Sequence, residues 1–346
     1  MHAKSGLRKG ANMLRRDELE KIEHTIAKFK DVKILVIGDL ILDEFIWGDS
    51  SRISPEAPVP VVLVDRESLM PGGAANVANN ISALGAKAYL AGVIGKDEHG
   101  RQLETILKKK GVEIEGVISD PERPTTLKTR VVARHQQVVR IDRERAGHLN
   151  GPVTKELADY IKEKIKEVDG IIIEDYGKGV ITPDILREII PLAKRQRKVI
   201  AVDPKQEHIS YYKGVTVITP NRKEAEAMGG MKATDDASLN KLGRSLLGKL
   251  KLQAALITLG ENGMRLFERG GRITHIPTVA QEVFDVSGAG DTVIATFTAA
   301  LCAGARMIEA AHISNFAGGI VVGKVGVATI SQAELKARIK DHHWQA

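Results

Sequence analysis

A single cysteine, Cys302, stands among 346 residues, so no intrachain disulfide can form, and its place in an apolar helical run reads as a buried small hydrophobe. That usage predicts a reducing compartment. No stretch reaches the roughly 18 consecutive apolar residues that a membrane helix needs. The basic segment 1–16 lacks the apolar core of a secretory signal and reads as a tail, which leaves the sequon Asn80-Ile81-Ser82 without meaning and predicts a cytoplasmic protein. Charge of one sign is also scarce. The formal +7 comes from 51 Lys and Arg scattered among 44 Asp and Glu, which argues against nucleic acid as a partner and fits an anionic small substrate better. Two nucleotide motifs are missing as well. No G-x-G-x-x-G follows a strand, which disfavours a dinucleotide-binding dehydrogenase. The run Gly318-Gly319-Ile320-Val321-Val322-Gly323-Lys324-Val325 has the spacing of a phosphate loop, but Val325 lacks the hydroxyl that would hold magnesium and the segment lies late in an apolar helix, so it reads as packing.

What is present is enough for one large core, with 43% hydrophobic and 27% charged residues. Short apolar runs at 33–37, 88–93, 170–173, 198–202, 215–218 and 254–259 read as buried strands. Between them, 154–168 places Leu157, Ile161, Ile165 and Val168 on one helical face, and 184–195 repeats the pattern. This alternation predicts an α/β fold: a doubly wound, mostly parallel sheet flanked by helices. Segments 59–65 and 126–142 break the rhythm, with β-branched and polar residues and no helix between 126–132 and 138–142, and they predict a small β-sheet lid that excludes water from a site beneath it. The expected organisation is an N-terminal extension and helix over 1–30, then one domain over 31–340, with lid strands from about 46–65 and 124–143.

The chemistry gathers at Phe284-Asp285-Val286-Ser287-Gly288-Ala289-Gly290-Asp291-Thr292, a glycine-bearing turn that runs into a helix over 292–303. Small residues Gly288, Ala289 and Gly290 let backbone N–H groups converge at a helix N-terminus, where an anion is favoured. Asp291 would stand at its mouth, placed to take the proton of a hydroxyl attacking a phosphate. Taken alone, these residues read equally as a turn and helix cap. Upstream, Gly72 and Gly73 open a helix over 74–84 and permit close backbone approach to a polar ligand, with Asn76 in the first turn directed at the same space. Asp39 and Asp43 follow the first strand, where an open α/β sheet gathers its ligands, and could grip sugar hydroxyls or cap the strand end. Asn221-Arg222-Lys223-Glu224 and Thr258-Leu259-Gly260-Glu261-Asn262-Gly263 complete the set.

Gly72-Gly73-x-x-Asn76, Asn221-x-x-Glu224 and Gly288-Ala289-Gly290-Asp291, in that order over nearly the whole chain, resemble the ribokinase-like (PfkB) carbohydrate kinases. Four further segments are similar to the heptose 7-phosphate kinase branch of that family: the run from Ser51-Arg52-Ile53-Ser54-Pro55-Glu56 to Val62, Asp175-Tyr176-Gly177-Lys178-Gly179, Asp203-Pro204-Lys205, and Val321-Val322-Gly323-Lys324-Val325-Gly326. The similarity runs over about 33–335.

The resemblance implies ATP-dependent phosphorylation of O1 of D-glycero-D-manno-heptose 7-phosphate, on the way to ADP-heptose for the lipopolysaccharide core. It implies Asp291 as base and Gly288 to Gly290 as anion hole, Asn221 and Glu224 organising Mg²⁺ through water, and Thr258, Gly260 and Gly263 lining the nucleotide. Asp285 and Ser287 match positions that hold a monovalent cation such as K⁺ in some relatives, with Gly326 nearby. For the substrate's own phosphate the available cations are Arg130, Arg134 and Arg140 on or beside the lid, with Lys178 and Lys205 nearer the central strands; lid arginines equally form a solvated face, and Lys178 and Lys205 could equally serve ATP phosphates. Acceptor choice would rest in the lid, so another sugar kinase of the same fold is the nearest alternative, and a non-catalytic nucleotide-binding regulator the next. In many bacteria such a kinase is fused to a nucleotidyltransferase. The sequence given runs to Ala346, which leads us to expect the bisphosphate as its product unless it is a piece of a longer, bifunctional protein, and the resemblance implies dimerisation through lid strands, 51–64 among them.

Overall fold

The computed structural model describes residues 16–133, 136–145, 147, 149–280 and 282–344. In chain order the strands are β1 (Lys33–Gly38), β2 (Leu40–Ile53), β3 (Pro60–Gly73), β4 (Lys87–Gly95), β5 (Glu113–Asp120), β6 (Thr126–Ala133) and β7 (Gln136–Arg143). They continue with β8 (Gly170–Glu174), β9 (Val199–Asp203), β10 (Val217–Ile218), β11 (Ala254–Thr258), β12 (Met264–Glu268) and β13 (Ile273–Ile276). The helices are α1 (Arg16–Ala27), α2 (Ala74–Ala83), α3 (Glu98–Lys109), α4 (Gly151–Ile165), α5 (Pro183–Arg195), α6 (Arg222–Gly229), α7 (Asp236–Leu250), α8 (Ala289–Cys302), α9 (Met307–Val321) and α10 (Gln332–Trp344).

The main sheet has the order β13-β12-β11-β10-β9-β8-β1-β4-β5, parallel except where β12 and β13 return antiparallel beside β11. Its central strands carry near-continuous apolar runs, KILVIG in β1, GIIIE in β8 and VIAVD in β9, because helices cover both faces and each side chain must be apolar. On one face α2, α8 and α9 pack with Ile34, Val36 and Ile172; on the other α4, α5 and α7 pack with Leu35, Ile37 and Ile171. The doubly wound architecture expected from the alternating pattern is the one observed. The sequence pattern did not reveal β5 or the β12–β13 hairpin, and β10 is only two residues long where four were expected. Edge strand β5 alternates between buried and open positions, so its EIEGVISD carries no apolar run.

A second sheet, β3-β2-β6-β7, stands apart from the first. β2 and β3 are 14 residues each; β2 starts and β3 ends inside the core, Leu40 pairing with Gly73 and Leu42 with Pro71, so the roots of the lid are continuous with β1 and α2. At its far end the lid exposes Ile53, Leu63, Val64, Val139 and Ile141. The carboxyl ends of β1, β8, β9 and β11 and the N-terminus of α8 open toward the floor of this lid, which fixes where chemistry can occur.

Packing limits differ along α7. A Cβ on Gly243 would collide with the Phe267 ring, whereas one on Gly248 meets nothing within 4 Å. Gly243→Ala should cost about 1–3 kcal/mol through overpacking, and Gly248→Ala should be neutral or stabilising by up to about 1 kcal/mol, both read from urea unfolding midpoints.

Candidate active site

Gly288 takes a left-handed conformation, φ 75°, and caps α8. A Cβ there would lie 2.8 Å from Asn76 Nδ2, so glycine is required for the turn to approach α2. The first turn of α8 then points Asp291 into the protein, where 6% of it is exposed. Asn76 Nδ2 donates to Asp291 Oδ2 at 2.6 Å, and Tyr176 OH donates to Oδ1 at 3.3 Å. Asn76 is itself fixed: Asn80 Nδ2 donates to its carbonyl and to its Oδ1, and Thr292 Oγ1 donates to Asn80 Oδ1 at 2.9 Å, tying α8 to α2. Burial raises the Asp291 carboxyl to about 6; the Asn76 bond opposes the rise, the Asp43 charge adds to it and the Tyr176 bond opposes it. The Tyr176 phenol is pushed well up by the Asp291 charge and by burial, so it remains a donor. Ala289 N–H is turned back to the Val286 carbonyl, while the N–H of Gly290 keeps no backbone carbonyl partner among the described residues. Of the three residues expected to form the anion hole, Ala289 thus spends its N–H inside the turn, while that of Gly288, like that of Gly290, has no backbone carbonyl partner among the described residues.

Asp39 and Asp43 diverge in role. Asp39 Oδ2 accepts the N–H groups of Tyr176 and Lys178, each at 3.0 Å, and Oδ1 accepts that of Val180 at 3.1 Å. Its carboxylate straps loop 175–180, and therefore Tyr176, to the end of β1. Burial raises its carboxyl against those backbone bonds. Asp43 is paired with Arg130 of β6 and lies against Gly72, where a Cβ would collide with its carboxylate; Gly73, φ 55°, turns the chain into α2. Arg130 also sits over the Phe45 ring, 5.2 Å from its centroid, and Phe45 stacks on Trp47. A cavity of about 510 Å³ is lined by Phe45, Trp47, Arg130, Phe284, Asp285 and Ser287 among others. Asp285 accepts the N–H of Ser287 at 2.9 Å and of Gly326 at 3.2 Å, so its carboxylate joins the turn to loop 322–331. Of the other cations, Arg140 reaches Asp142 on exposed β7, and Lys178 Nζ meets Glu144 Oε1 at 2.5 Å. Arg134 lies outside the described residues.

On the opposite side of the turn, Thr258, Gly260, Gly263, Ala289 and Gly290 line a mostly apolar cavity of about 470 Å³. Gly318, Gly319 and Val322 also line it; the segment packs closely, as expected, since a Cβ on Gly319 would press on Val279 at 2.9 Å and one on Gly318 on Val293 at 3.1 Å, and it forms part of the cavity wall as well. A polar cavity of about 370 Å³ lies alongside, lined by Asp203, Lys205, Lys223 and Glu224. Asn221 and Glu224 cap α6 reciprocally, Glu224 N–H to Asn221 Oδ1 at 3.1 Å and Asn221 N–H to Glu224 Oε2 at 2.8 Å, and Asn221 bridges to Thr258. Glu224 therefore serves the helix end and lines the cavity at once, with Asn221 fixing it.

Sequence reasoning singled out neither Glu174 nor Asp203 as site residues, nor the role of Tyr176. Glu174, Asp203 and Asp291 each offer an oxygen, the three lying within 4.8 Å of one another. Burial and the mutual charges of these groups push the Glu174 and Asp203 carboxyls well up. Such a set of hard oxygen ligands fits a divalent cation of the Mg²⁺ or Mn²⁺ type. The available signal was an acidic residue ending each of two apolar strands.

The model of pfkB family carbohydrate kinases matches residues 31–334. The chain is 48% identical over 318 residues to "Bifunctional protein HldE" of Geobacter metallireducens, covering 92% of this chain and 65% of that protein. It is 45% identical over 311 residues to the protein of the same name from Helicobacter pylori, covering 90% and 67%. It thus spans about two thirds of the length of these curated relatives. Among solved structures it is similar in fold to phosphofructokinase-2 from Escherichia coli in complex with substrates and products, TM-score 0.75 at 19% identity, covering 90% of this chain and 99% of that one. It is likewise similar to Arabidopsis thaliana ribokinase complexed with ribose and ATP, TM-score 0.71 at 18% identity, covering 89% and 98%. No helix among the described residues is long and apolar enough to cross a membrane. A glycine turn between two cavities, a buried carboxylate at its tip and a family match over most of the sequence lead to one conclusion: the chain belongs to the pfkB family of carbohydrate kinases.

Proposed function

We propose that the chain uses ATP to phosphorylate O1 of D-glycero-D-manno-heptose 7-phosphate, giving the 1,7-bisphosphate that serves ADP-heptose synthesis. The observation that carries this reading is the position of the Ser287–Gly290 turn, with the lid-side cavity on one flank, the apolar cavity on the other and Asp291 buried at their junction. The sugar phosphate occupies the lid side, and the adenosine of ATP the apolar side between Thr258, Gly263 and Gly318. Lys205 and Lys223 of the polar cavity meet the ATP phosphates.

In the transfer, Asp291 carboxylate takes the proton of the sugar hydroxyl as its oxygen bonds to the γ-phosphorus, and the bond from that phosphorus to the ADP oxygen breaks. Tyr176 and Asn76 hold the carboxylate in one orientation, which serves the alignment such a transfer needs. The Gly290 N–H is placed for the charge on the transferring group. A divalent cation, Mg²⁺ in this reading, supplies charge neutralisation on the phosphates when bound, with Asp203 and Glu224 beside it and Asn221 fixing Glu224. We assign Asp39 to holding loop 175–180, and Asp43 with Arg130 to the sugar phosphate. Asp285 and Ser287 are our proposed site for a monovalent cation.

The lid's edge strands β3 and β7 and its exposed Leu63, Val64, Val139 and Ile141 fit a homodimer joined through the lid.

Heptose 7-phosphate should give ADP and bisphosphate in a coupled assay, and failure with this sugar but turnover with another would move the acceptor assignment. Arg130→Gln should raise the KM for the sugar phosphate about ten-fold or more, with the KM for ATP little changed. Because Asp291 works only when ionised and its carboxyl is raised to about 6, kcat/KM should climb with pH to a midpoint near that value and level above it. Asn76→Ala removes a bond that lowers the carboxyl and should move the midpoint upward. Light scattering at micromolar concentration should report twice the chain mass; a monomer would refute the lid dimer.

A further inference from the structure

Asp175 follows β8 at the start of loop 175–180, its carboxylate is fully buried, and no step of the proposed transfer uses it. Oδ1 accepts the N–H of Gly177 at 2.9 Å. Oδ2 accepts Tyr212 OH at 2.5 Å and lies 2.6 Å from His208 Nδ1, and both of these contacts cross to segment 205–212, which follows β9 and makes one short helical stretch, Gln206–Tyr211. Burial and the Asp175 charge push the Tyr212 phenol up, so its hydroxyl keeps its proton and donates.

What this bridge holds is Lys205. Its N–H donates to the Tyr212 hydroxyl oxygen at 3.3 Å, and its carbonyl accepts the N–H of His208 at 3.1 Å. Both main-chain polar groups of the lysine therefore hang on the two residues that Asp175 grips. Gly177, φ 68°, meets it from the other side: a Cβ there would lie 3.6 Å from Lys205 Cε, so the lysine stem runs across the loop that the same carboxylate folds. Lys205 lines the polar cavity with Asp203, Lys223 and Glu224. Lys178 is already answered by Glu144, whereas the Lys205 ammonium meets no carboxylate among the described residues. A lysine carries a point charge on a flexible stem, so fixing its root limits where that charge can go.

We propose that Asp175 is a positioning residue that aims Lys205 at the phosphates of the nucleotide. The inference rests on the kinase reading in taking ATP as the ligand. Asp175 also precedes Tyr176, whose hydroxyl bonds Asp291. One buried carboxylate thus fixes the root of a phosphate-binding cation and the loop that orients the base.

The test measures Kd for ATP, and for adenosine, which carries no phosphate, on the full chain with Mg²⁺ by titration calorimetry. Lys205→Met should weaken ATP binding about ten-fold, the worth of one hydrogen bond to a charged group, and leave adenosine unchanged. Asp175→Ala should weaken ATP in the same sense, again with adenosine unchanged, and in the Lys205→Met background it should add less than about two-fold, because residues acting as one unit are not additive. Should Asp175→Ala fold poorly, Tyr212→Phe deletes only the bridging hydroxyl and should weaken ATP about three-fold, absorbed in the same way by Lys205→Met. Wild-type ATP affinity in folded Asp175→Ala or Lys205→Met, or equal loss of adenosine, would overturn the assignment. Multiplying losses from the two sites in a chain that phosphorylates heptose 7-phosphate would overturn it and leave the kinase reading standing. The non-additive pattern in a chain that phosphorylates no sugar would support it and refute that reading.

Discussion

The site depends on keeping one carboxylate, Asp291, inside the protein and pointed one way. Burying an ionisable group without partners would simply neutralise it. Here the amide of Asn76 and the hydroxyl of Tyr176 each bond one oxygen, and these two donors come from elements far apart in sequence. Each is held in turn: Asn76 by Asn80 and through it by Thr292, Tyr176 by the three backbone bonds that Asp39 accepts from its loop. The left-handed Gly288 lets the turn come close enough for this arrangement to close. Loss of any of these supports would leave the carboxylate present but misdirected, and a small misplacement at a transfer site is costly.

The same junction concentrates acids. Burial raises the carboxyls of Asp291, Glu174 and Asp203, and neighbouring charges add to it: Asp43 at Asp291, Asp203 and Asp291 at Glu174, and Glu224 and Asp291 at Asp203. Arg130 answers Asp43 on the lid side. On the nucleotide side Lys205 and Lys223 line the polar cavity with Asp203 and Glu224. A lid sheet rooted in β2 and β3 closes over this junction and carries Asp43 on β2 and Arg130 on the adjoining β6, so acceptor binding and proton abstraction share one scaffold.

Much of the fold was legible because parallel strands buried on both faces must be apolar throughout, as in KILVIG and GIIIE. Strand β5 and the β12–β13 hairpin escaped because an edge strand and a partly open hairpin are free of that demand. Asp291, Asn76 and Asn221 were readable as motif members. Their contacts were not, since the Asn76–Asp291 bond spans 215 residues and depends on how α2 meets α8. Glu174 was illegible for a local reason: an acid closing an apolar run looks like a strand boundary, and only the register with Asp203 and Gly38 shows that it is buried. The glycines at 318 and 319 were rightly read as packing, and what the sequence did not show is that the same segment lines the apolar cavity.

The central claim is that Asp291 acts on the hydroxyl proton and contributes little to holding either ligand. A single-turnover experiment on Asp291→Asn, with ATP and heptose 7-phosphate affinities measured separately, tests it most directly. The account predicts affinities close to wild type and a transfer rate lower by roughly 10²–10⁴. Transfer at near the wild-type rate, or loss of ligand binding in place of loss of transfer, would contradict it.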